Sequence, residues 1–263
     1  GLTAVDLNRS GVPLIEIVSE PDLRSPAEAR AYLTELKQIL RWLGISDCNM
    51  EEGSLRVDAN LSIRRPGDPL GTRTEVKNMN SFSGVERALT VERERQVALV
   101  EGGGTVEQAT LTSDAAKGEV RVVRSKEESH DYRYFPEPDL PPLVLKAQWL
   151  KAERDALPEL PAAKRVRFAR QYGLTPTEAA VVAATADVAD HFERLAALLG
   201  TGAGKDSWNW EANDVLSHSE DGESVPAALT PERIAEVVAL VKGGTVSRQA
   251  AKRVLVALTG VSA

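Results

Sequence analysis

Glu51-Glu52-Gly53-Ser54-Leu55-Arg56-Val57-Asp58-Ala59-Asn60-Leu61-Ser62-Ile63 is the stretch on which the fold turns. From Leu55 to Ile63 apolar and polar residues alternate without a break, which is the period of a half-buried β-strand. Leu55, Val57, Ala59, Leu61 and Ile63 point one way; Arg56, Asp58, Asn60 and Ser62 point the other. Side chains two residues apart stand about 7 Å from each other on one surface. Arg56, Asp58 and Asn60 therefore make a row of cation, carboxylate and amide. An ordinary wet sheet face and a binding face both fit that row.

The next alternating stretch is Thr72-Arg73-Thr74-Glu75-Val76-Lys77-Asn78, with Arg73, Glu75 and Lys77 on one face and Thr72, Thr74 and Val76 on the other. Pairing the charged faces of two such strands sets Asp58 and Glu75 among Arg56, Arg73 and Lys77. Carboxylates that hold Mg²⁺ beside cations that neutralise phosphoryl oxygens give one reading of this mixture. A cross-strand salt-bridge ladder of little energetic weight is the other.

Upstream, Val12-Pro13-Leu14-Ile15-Glu16-Ile17-Val18-Ser19-Glu20 reads as a buried strand carrying one carboxylate. A charge between Ile15 and Ile17 is expensive unless it is paired or metal-bound; strand alternation that turns Glu16 to water is the competing reading. Ser25-Pro26-Ala27-Glu28 is a capping box with Pro at the first helical position. Tyr32, Leu33, Leu36, Ile39, Leu40 and Leu43 follow at three-and-four spacing until Gly44, so this helix is a packing element. Cys48 reads as a free structural thiol. A second helix is predicted from a Ser81 cap to Gly102-Gly103-Gly104, its charges (Glu92 among them) solvated and its apolar stripe narrow, through Val85, Leu89 and Val100. The triple glycine ends a helix and lacks a following Lys-Ser or Lys-Thr, so it is not a phosphate loop. Short strands are predicted over 105–112 and 119–124.

The chain has 263 residues, 42% hydrophobic, enough for at least one real core and for two domains. A net charge of −7 argues against gripping nucleic acid across a whole face. One cysteine excludes a disulfide framework within the chain and a multi-cysteine zinc site, and fits a reducing cytosol. No apolar run approaches the roughly 20 residues of a membrane-spanning helix. The start at Gly1, without an initiator Met, predicts a fragment of a longer protein.

Asp6-Leu7-Asn8-Arg9-Ser10-Gly11 running into VPLIEIVSEPDLRSP, then NMEEGSLRVDANLSI, GTRTEVKNMNSF and SKEESHDYRYFPEPDLPPL, together resemble the B subunit of the bacterial tRNA-dependent amidotransferase. The motifs are long, ordered and distinctive, and the likeness runs along nearly the whole chain. It implies an α+β fold: the second half of a cradle-like catalytic domain with a mixed or antiparallel sheet flanked by helices (residues 1–145), an all-α helical domain (146–222) and the start of a helical tail (223–263). It implies a cytoplasmic, ATP-dependent carbon–nitrogen ligase, active within a heterotrimer with a glutaminase A subunit and a C subunit. ATP with Mg²⁺ would phosphorylate the side-chain carboxylate of misacylated Glu-tRNA(Gln) or Asp-tRNA(Asn), and ammonia from glutamine would displace the phosphate. A non-catalytic tRNA-binding or scaffold module of the same complex is the alternative.

Carried over by motif, Glu16 and Asp58 are the candidate metal ligands and, with Lys77, the candidate catalytic residues. Asn60 and Glu75, with Arg124, Lys126 and Arg133 of the aromatic and proline-rich stretch, are candidate cofactor-binding residues. The family's opening glycine-leucine-glutamate-valine-histidine strand and its histidine-methionine-diglutamate-aspartate motif have no counterpart here. Both would bring metal ligands, so the resemblance implies an incomplete Mg²⁺ site within these residues. Trp210 reads as a core residue. Arg248, Lys252 and Arg253 on the last helix are either phosphate contacts for tRNA or solvated cations.

Overall fold

The computed structural model describes residues 4–8, 11–114, 119–125, 138–219 and 222–260. The chain forms two compact units, residues 1–32 with 59–123, and residues 33–58 with 124–263. Helix α1 (Pro26–Trp42) begins in the first and ends in the second.

The first unit is built on a four-stranded sheet in the order β1 (Ala59–Leu61), β2 (Thr74–Lys77), β3 (Ala109–Asp114), β4 (Glu119–Ser125). β1 and β2 run antiparallel with Ala59 opposite Val76, Asn60 opposite Glu75 and Leu61 opposite Thr74. β2 and β3 run parallel, Glu75 beside Thr110 and Lys77 beside Thr112. Parallel neighbours need a crossover, and helix α2 (Phe82–Glu101) supplies it between β2 and β3. The sheet is thus mixed, as an α+β fold with a mixed sheet requires. Ser81 caps α2, its hydroxyl accepting from the Gly84 N–H at 3.0 Å. The predicted alternation holds where it was longest: exposure switches at every residue from Leu55 to Leu61, although regular strand pairing covers Ala59–Leu61. On β2, Thr74 and Val76 are buried while Glu75 and Lys77 are half-buried.

Two expectations fail in this unit. The segment 12–20 lies outside the sheet without regular secondary structure rather than as a buried strand, with Leu14 90% and Ile17 46% exposed. A strand is stable only where a neighbour takes its N–H and C=O groups, and an apolar run does not carry that neighbour within itself. On α2 the inward stripe passes through Val85, Ala88 and Leu89 and then continues through Glu92 and Gln96, both fully buried, while Val100 is 45% exposed. Glu92 is therefore not a solvated charge. Helical spacing after Leu89 decides which side chain turns inward, and those turns carry polar residues.

The second unit is helical. Helix α1 opens with Ser25 Oγ accepting from the Glu28 N–H; the Glu28 carboxylate reaches the Arg24 N–H, so the capping box closes one residue early. Gly44, at φ +65°, ends the chain's helical run after Trp42. Cys48 is buried and free. Helix α3 (Ala147–Ala156) buries no residue. Helices α4 (Pro161–Tyr172), α5 (Pro176–Val182) and α6 (Ala186–Leu199) close on a core of Trp42, Phe168, Leu174, Val182 and Phe192. Phe168, Tyr172 and Phe192 meet with ring centroids 5.1–5.5 Å apart, two of the three contacts edge to face. Thr175 and Glu178 form the predicted capping box of α5. Helix α7 (Gly204–Trp210) starts against α4 so closely that a Cβ on Gly204 would lie 2.4 Å from the Tyr172 carbonyl oxygen.

After α7 the chain passes through a π-helical stretch, Glu211–Val215, into a 3-10 turn, Leu216–His218. Helices α8 (Pro231–Lys242) and α9 (Arg248–Thr259) then pack Ile234, Val238, Ala251 and Leu255 against Leu195, Trp210 and Val215. Trp210 is core, as expected, at 4% exposed. Among the described residues no helix is long and apolar enough to cross a membrane.

Candidate functional site

The outward face of the β1–β2–β3 sheet gathers the polar residues. Cross-strand partners in an antiparallel pair share a face, so Asn60 of β1 lies on the same side as Glu75 of β2. Lys77, two residues further along β2, shares that face and sets its Nζ 3.3 Å from Glu75 Oε1. On the other flank, Thr110 Oγ1 donates to Glu75 Oε2 at 3.1 Å. Asn78, whose φ is +60°, leaves the strand and donates from Nδ2 to Thr112 Oγ1 at 2.9 Å. Asn60, Glu75, Lys77 and the β3 threonines thus share one polar face across three strands. Lys77 keeps 40% of its side chain exposed and Glu75 20%, so both are held by the sheet and reachable from solvent.

The inward face fixes what the outward face presents. Thr74 and Val76 are fully buried, and the Thr74 hydroxyl donates to Glu92 Oε1 of α2 at 2.7 Å. Arg95 clasps the same carboxylate from Nε at 2.7 Å and Nη2 at 2.8 Å. Burial would raise the Glu92 pKa, but the hydrogen bonds from Arg95, Thr74 and Gln96 outweigh it and hold the carboxyl below the usual range.

The remaining candidates are placed as follows. Asp58 is exposed and directly precedes β1. Glu16 is exposed on the irregular segment outside the sheet. Arg73 is exposed just before β2. Arg124 lies on β4, but its side chain is outside the described residues, as are Lys126 and Arg133 altogether, with His130, Tyr132 and Tyr134. The structure therefore brings together Asn60, Glu75 and Lys77. Among the described residues, no three His, Cys, Asp or Glu side chains gather to hold a metal ion. Sequence reading missed Thr110, Thr112 and Asn78. The A-T-L-T alternation of residues 109–112 carried the signal for the threonines; at 78 the only local signal is the residue type, since asparagine is enriched in the left-handed region.

In the second unit the charged side chains bind each other. Arg167 bridges Glu159 (2.7 Å) and Glu193 (2.6 Å), which hold its guanidinium pKa far above the ordinary value, while Lys164 reaches Asp190 at 2.9 Å and Glu193 at 3.1 Å. Arg248 stacks on the Trp210 ring, 3.2 Å from its centroid, and donates to Asp214, so this cation is committed within the fold rather than solvated.

The family model of the GatB/GatE catalytic domain matches residues 1–151. The chain is 51% identical over 258 residues to the B subunit of the aspartyl/glutamyl-tRNA(Asn/Gln) amidotransferase of Moorella thermoacetica, covering 97% of this chain and 54% of that relative. Against the Azorhizobium caulinodans protein of the same name the identity is 49% over 253 residues, 95% of this chain and 51% of the relative. For Psychrobacter cryohalolentis it is 46% over 260 residues, 98% and 51%. The chain spans about half the length of the curated relatives it matches.

Proposed function

This chain belongs to the GatB/GatE catalytic domain family, and we propose that it serves the ATP-driven step of a tRNA-dependent amidotransferase, as part of the B subunit. The substrates are the misacylated ends of Glu-tRNA(Gln) or Asp-tRNA(Asn), and the partners are a glutaminase A subunit and a C subunit. The observation that carries this reading is the Asn60–Glu75–Lys77 row on the open face of a sheet inside the matched segment.

The chemistry has two steps. A carboxylate oxygen of the aminoacyl side chain attacks the γ-phosphorus of ATP, and the bond to the ADP oxygen breaks. Ammonia then attacks the acyl carbon, phosphate leaves, and the nitrogen loses a proton to become an amide. The first step is electrostatically hard, because two anions meet. Unit charges 4 Å apart repel by about 4 kcal/mol at an effective dielectric of about 20. A cation on the phosphoryl oxygens offsets that repulsion, most strongly as charge shifts in the transition state. Lys77 is positioned by Glu75 for this role, and Asn60 offers an amide donor on the same face. Glu16 and Asp58 are exposed carboxylates of the hard-oxygen type that suits Mg²⁺. Magnesium held through nucleotide phosphates needs one or two protein carboxylates rather than a cage of three. Mg²⁺ carried by the nucleotide would neutralise phosphate charge.

The test is calorimetric titration of Mg·ATP into the folded chain beside Glu16→Ala, Asp58→Ala and Lys77→Met. Heat of binding lost in the variants supports the reading. Binding that is the same in all four proteins refutes the site. A folded chain that takes no nucleotide favours the scaffold alternative for this part of the subunit.

A further inference from the structure

Beneath the candidate row lies a charged cluster that the phosphoryl-transfer reading does not use. The Glu92 carboxylate is fully buried and accepts from Thr74 Oγ1, Arg95 Nε, Arg95 Nη2 and Gln96 Nε2 within 2.7–2.8 Å. Gln96 Nε2 also lies 2.9 Å from Thr74 Oγ1 and 3.2 Å from the Leu61 carbonyl oxygen. Its Oε1 is buried without a partner among the described residues. Such an arrangement is expensive. Arg95 keeps 38% of its side chain exposed, so the buried charge is that of Glu92; exchanging such a charge and its partner for apolar side chains is often neutral or stabilising, so stability alone does not account for a charge at this position.

What the cluster touches is specific. Thr74 immediately precedes Glu75, Leu61 immediately follows Asn60, and Thr74 and Leu61 face each other across the β1–β2 ladder. A tie from below at those two residues fixes which way their neighbours point, because successive strand residues alternate faces. A one-residue slip of either strand would move its outward side chains into the core; a slip of β2 would also leave the Glu92 charge without the Thr74 hydroxyl, and a slip of β1 would take the Leu61 carbonyl from Gln96. We propose that Glu92, with Gln96, is a positioning residue that locks the β1–β2 register and so holds Asn60, Glu75 and Lys77 in their working arrangement. This role rests on the phosphoryl-transfer reading of that row.

The experiment uses the full-length subunit in its assembled complex and follows ATP turnover with misacylated tRNA. The variants are Thr74→Val, which keeps shape and strand propensity while removing one hydroxyl, and Glu92→Gln, which removes the charge. Val85→Ala, also on the buried side of α2 but outside the cluster, reports what mere destabilisation does. Thr74→Val and Glu92→Gln are expected to lower kcat by about tenfold or more, since displacements near 1 Å at a reacting centre cost on that order or above. KM for glutamine should stay put, and amide exchange in β1 and β2 should speed up relative to α2. Val85→Ala should lower Tm and leave kcat unchanged. Wild-type kcat in Thr74→Val and Glu92→Gln, with Lys77→Met inactive, overturns the positioning role alone. Loss of kcat in Val85→Ala in proportion to its Tm also overturns it, since the cluster would then act through stability only. Full activity in Lys77→Met overturns the underlying reading and this role with it.

Discussion

The His191–Glu211 pair gives the chain a pH dependence whose sign can be worked out from geometry. Nδ1 of His191 lies 2.8 and 3.0 Å from the two Glu211 carboxylate oxygens, and Nε2 lies 2.8 Å from the Leu229 carbonyl oxygen. Every partner is an acceptor, so a proton must sit between His191 and Glu211 while Nε2 donates to Leu229. His191 is 7% exposed and Glu211 is fully buried. Burial alone would lower the imidazole pKa; Glu211, then the Leu229 carbonyl and the more distant Glu232, outweigh it and raise it. Burial pushes Glu211 upward as well, against the pull of His191. Both directions describe a folded pair that keeps one proton.

The unfolded chain gives up its imidazole proton above about pH 6.5. The stability contributed by His191 is therefore fully present below that pH and lost as pH rises through its higher folded value, by at most about 1.4 kcal/mol per pH unit. Removing one partner from a buried ion pair costs about 3–5 kcal/mol, so His191→Gln should lose roughly that much at pH 6. The assay is denaturant unfolding followed by tryptophan emission, with Trp210 directly preceding Glu211, at pH 6.0, 7.5 and 9.0. Wild type should weaken toward pH 9, while a His191→Gln, Glu211→Gln double variant, which keeps neither titrating group of the pair, should lack the slope that the pair contributes. Equal pH slopes in wild type and the double variant would refute the shared proton.

Three further outcomes are expected. Gly71→Ala should weaken the β1–β2 connection, because a Cβ there would lie 2.4 Å from the Ile63 carbonyl oxygen, a backbone atom that cannot swing aside; faster amide exchange confined to β1 and β2 would report it. Arg248→Gln should leave Asp214 buried without its guanidinium. The loss should fall at or below the lower end of about 3–5 kcal/mol, since Arg248 is 38% exposed, and it should shrink in acid as Asp214 takes a proton, read by unfolding at pH 4.5 and 7. Ser81→Ala should cost about 1 kcal/mol through the lost cap of α2, read as a lower denaturant midpoint at unchanged m-value.

Periodicity proved the dependable signal. The alternation from Leu55 to Leu61 and from Thr74 to Lys77 reappears as alternating exposure, because a period of two constrains every side chain in the run. The motifs carried the family, which the match over residues 1–151 bears out. Composition misled at Glu92, where charge suggested solvent although helical spacing from Val85 and Leu89 pointed inward. Hydrophobicity misled over residues 12–20, since pairing belongs to two strands and a sequence window shows one. The parallel partner β3 was illegible for the same reason: nothing in Thr74–Lys77 states which strand will lie on its far side. Cap and turn chemistry at Ser81, Thr175 and Gly44 was readable because those hydrogen bonds span only a few residues.

The π-helical stretch Glu211–Val215 works as a phase shifter in the helix that enters it. An α-helix advances about 100° per residue, and one residue too many in a turn rotates everything downstream by about that angle relative to an uninterrupted helix. Glu211 and Asp214, three residues apart, both turn inward within this stretch, one to His191 and the other to Arg248. Deleting a single residue here would do more than shorten the helix. It would re-aim the 3-10 turn and the approach to α8, uncoupling two charged contacts at once. Length in this segment is therefore under tighter constraint than residue identity, and a change in length here should be harder to accommodate than a substitution.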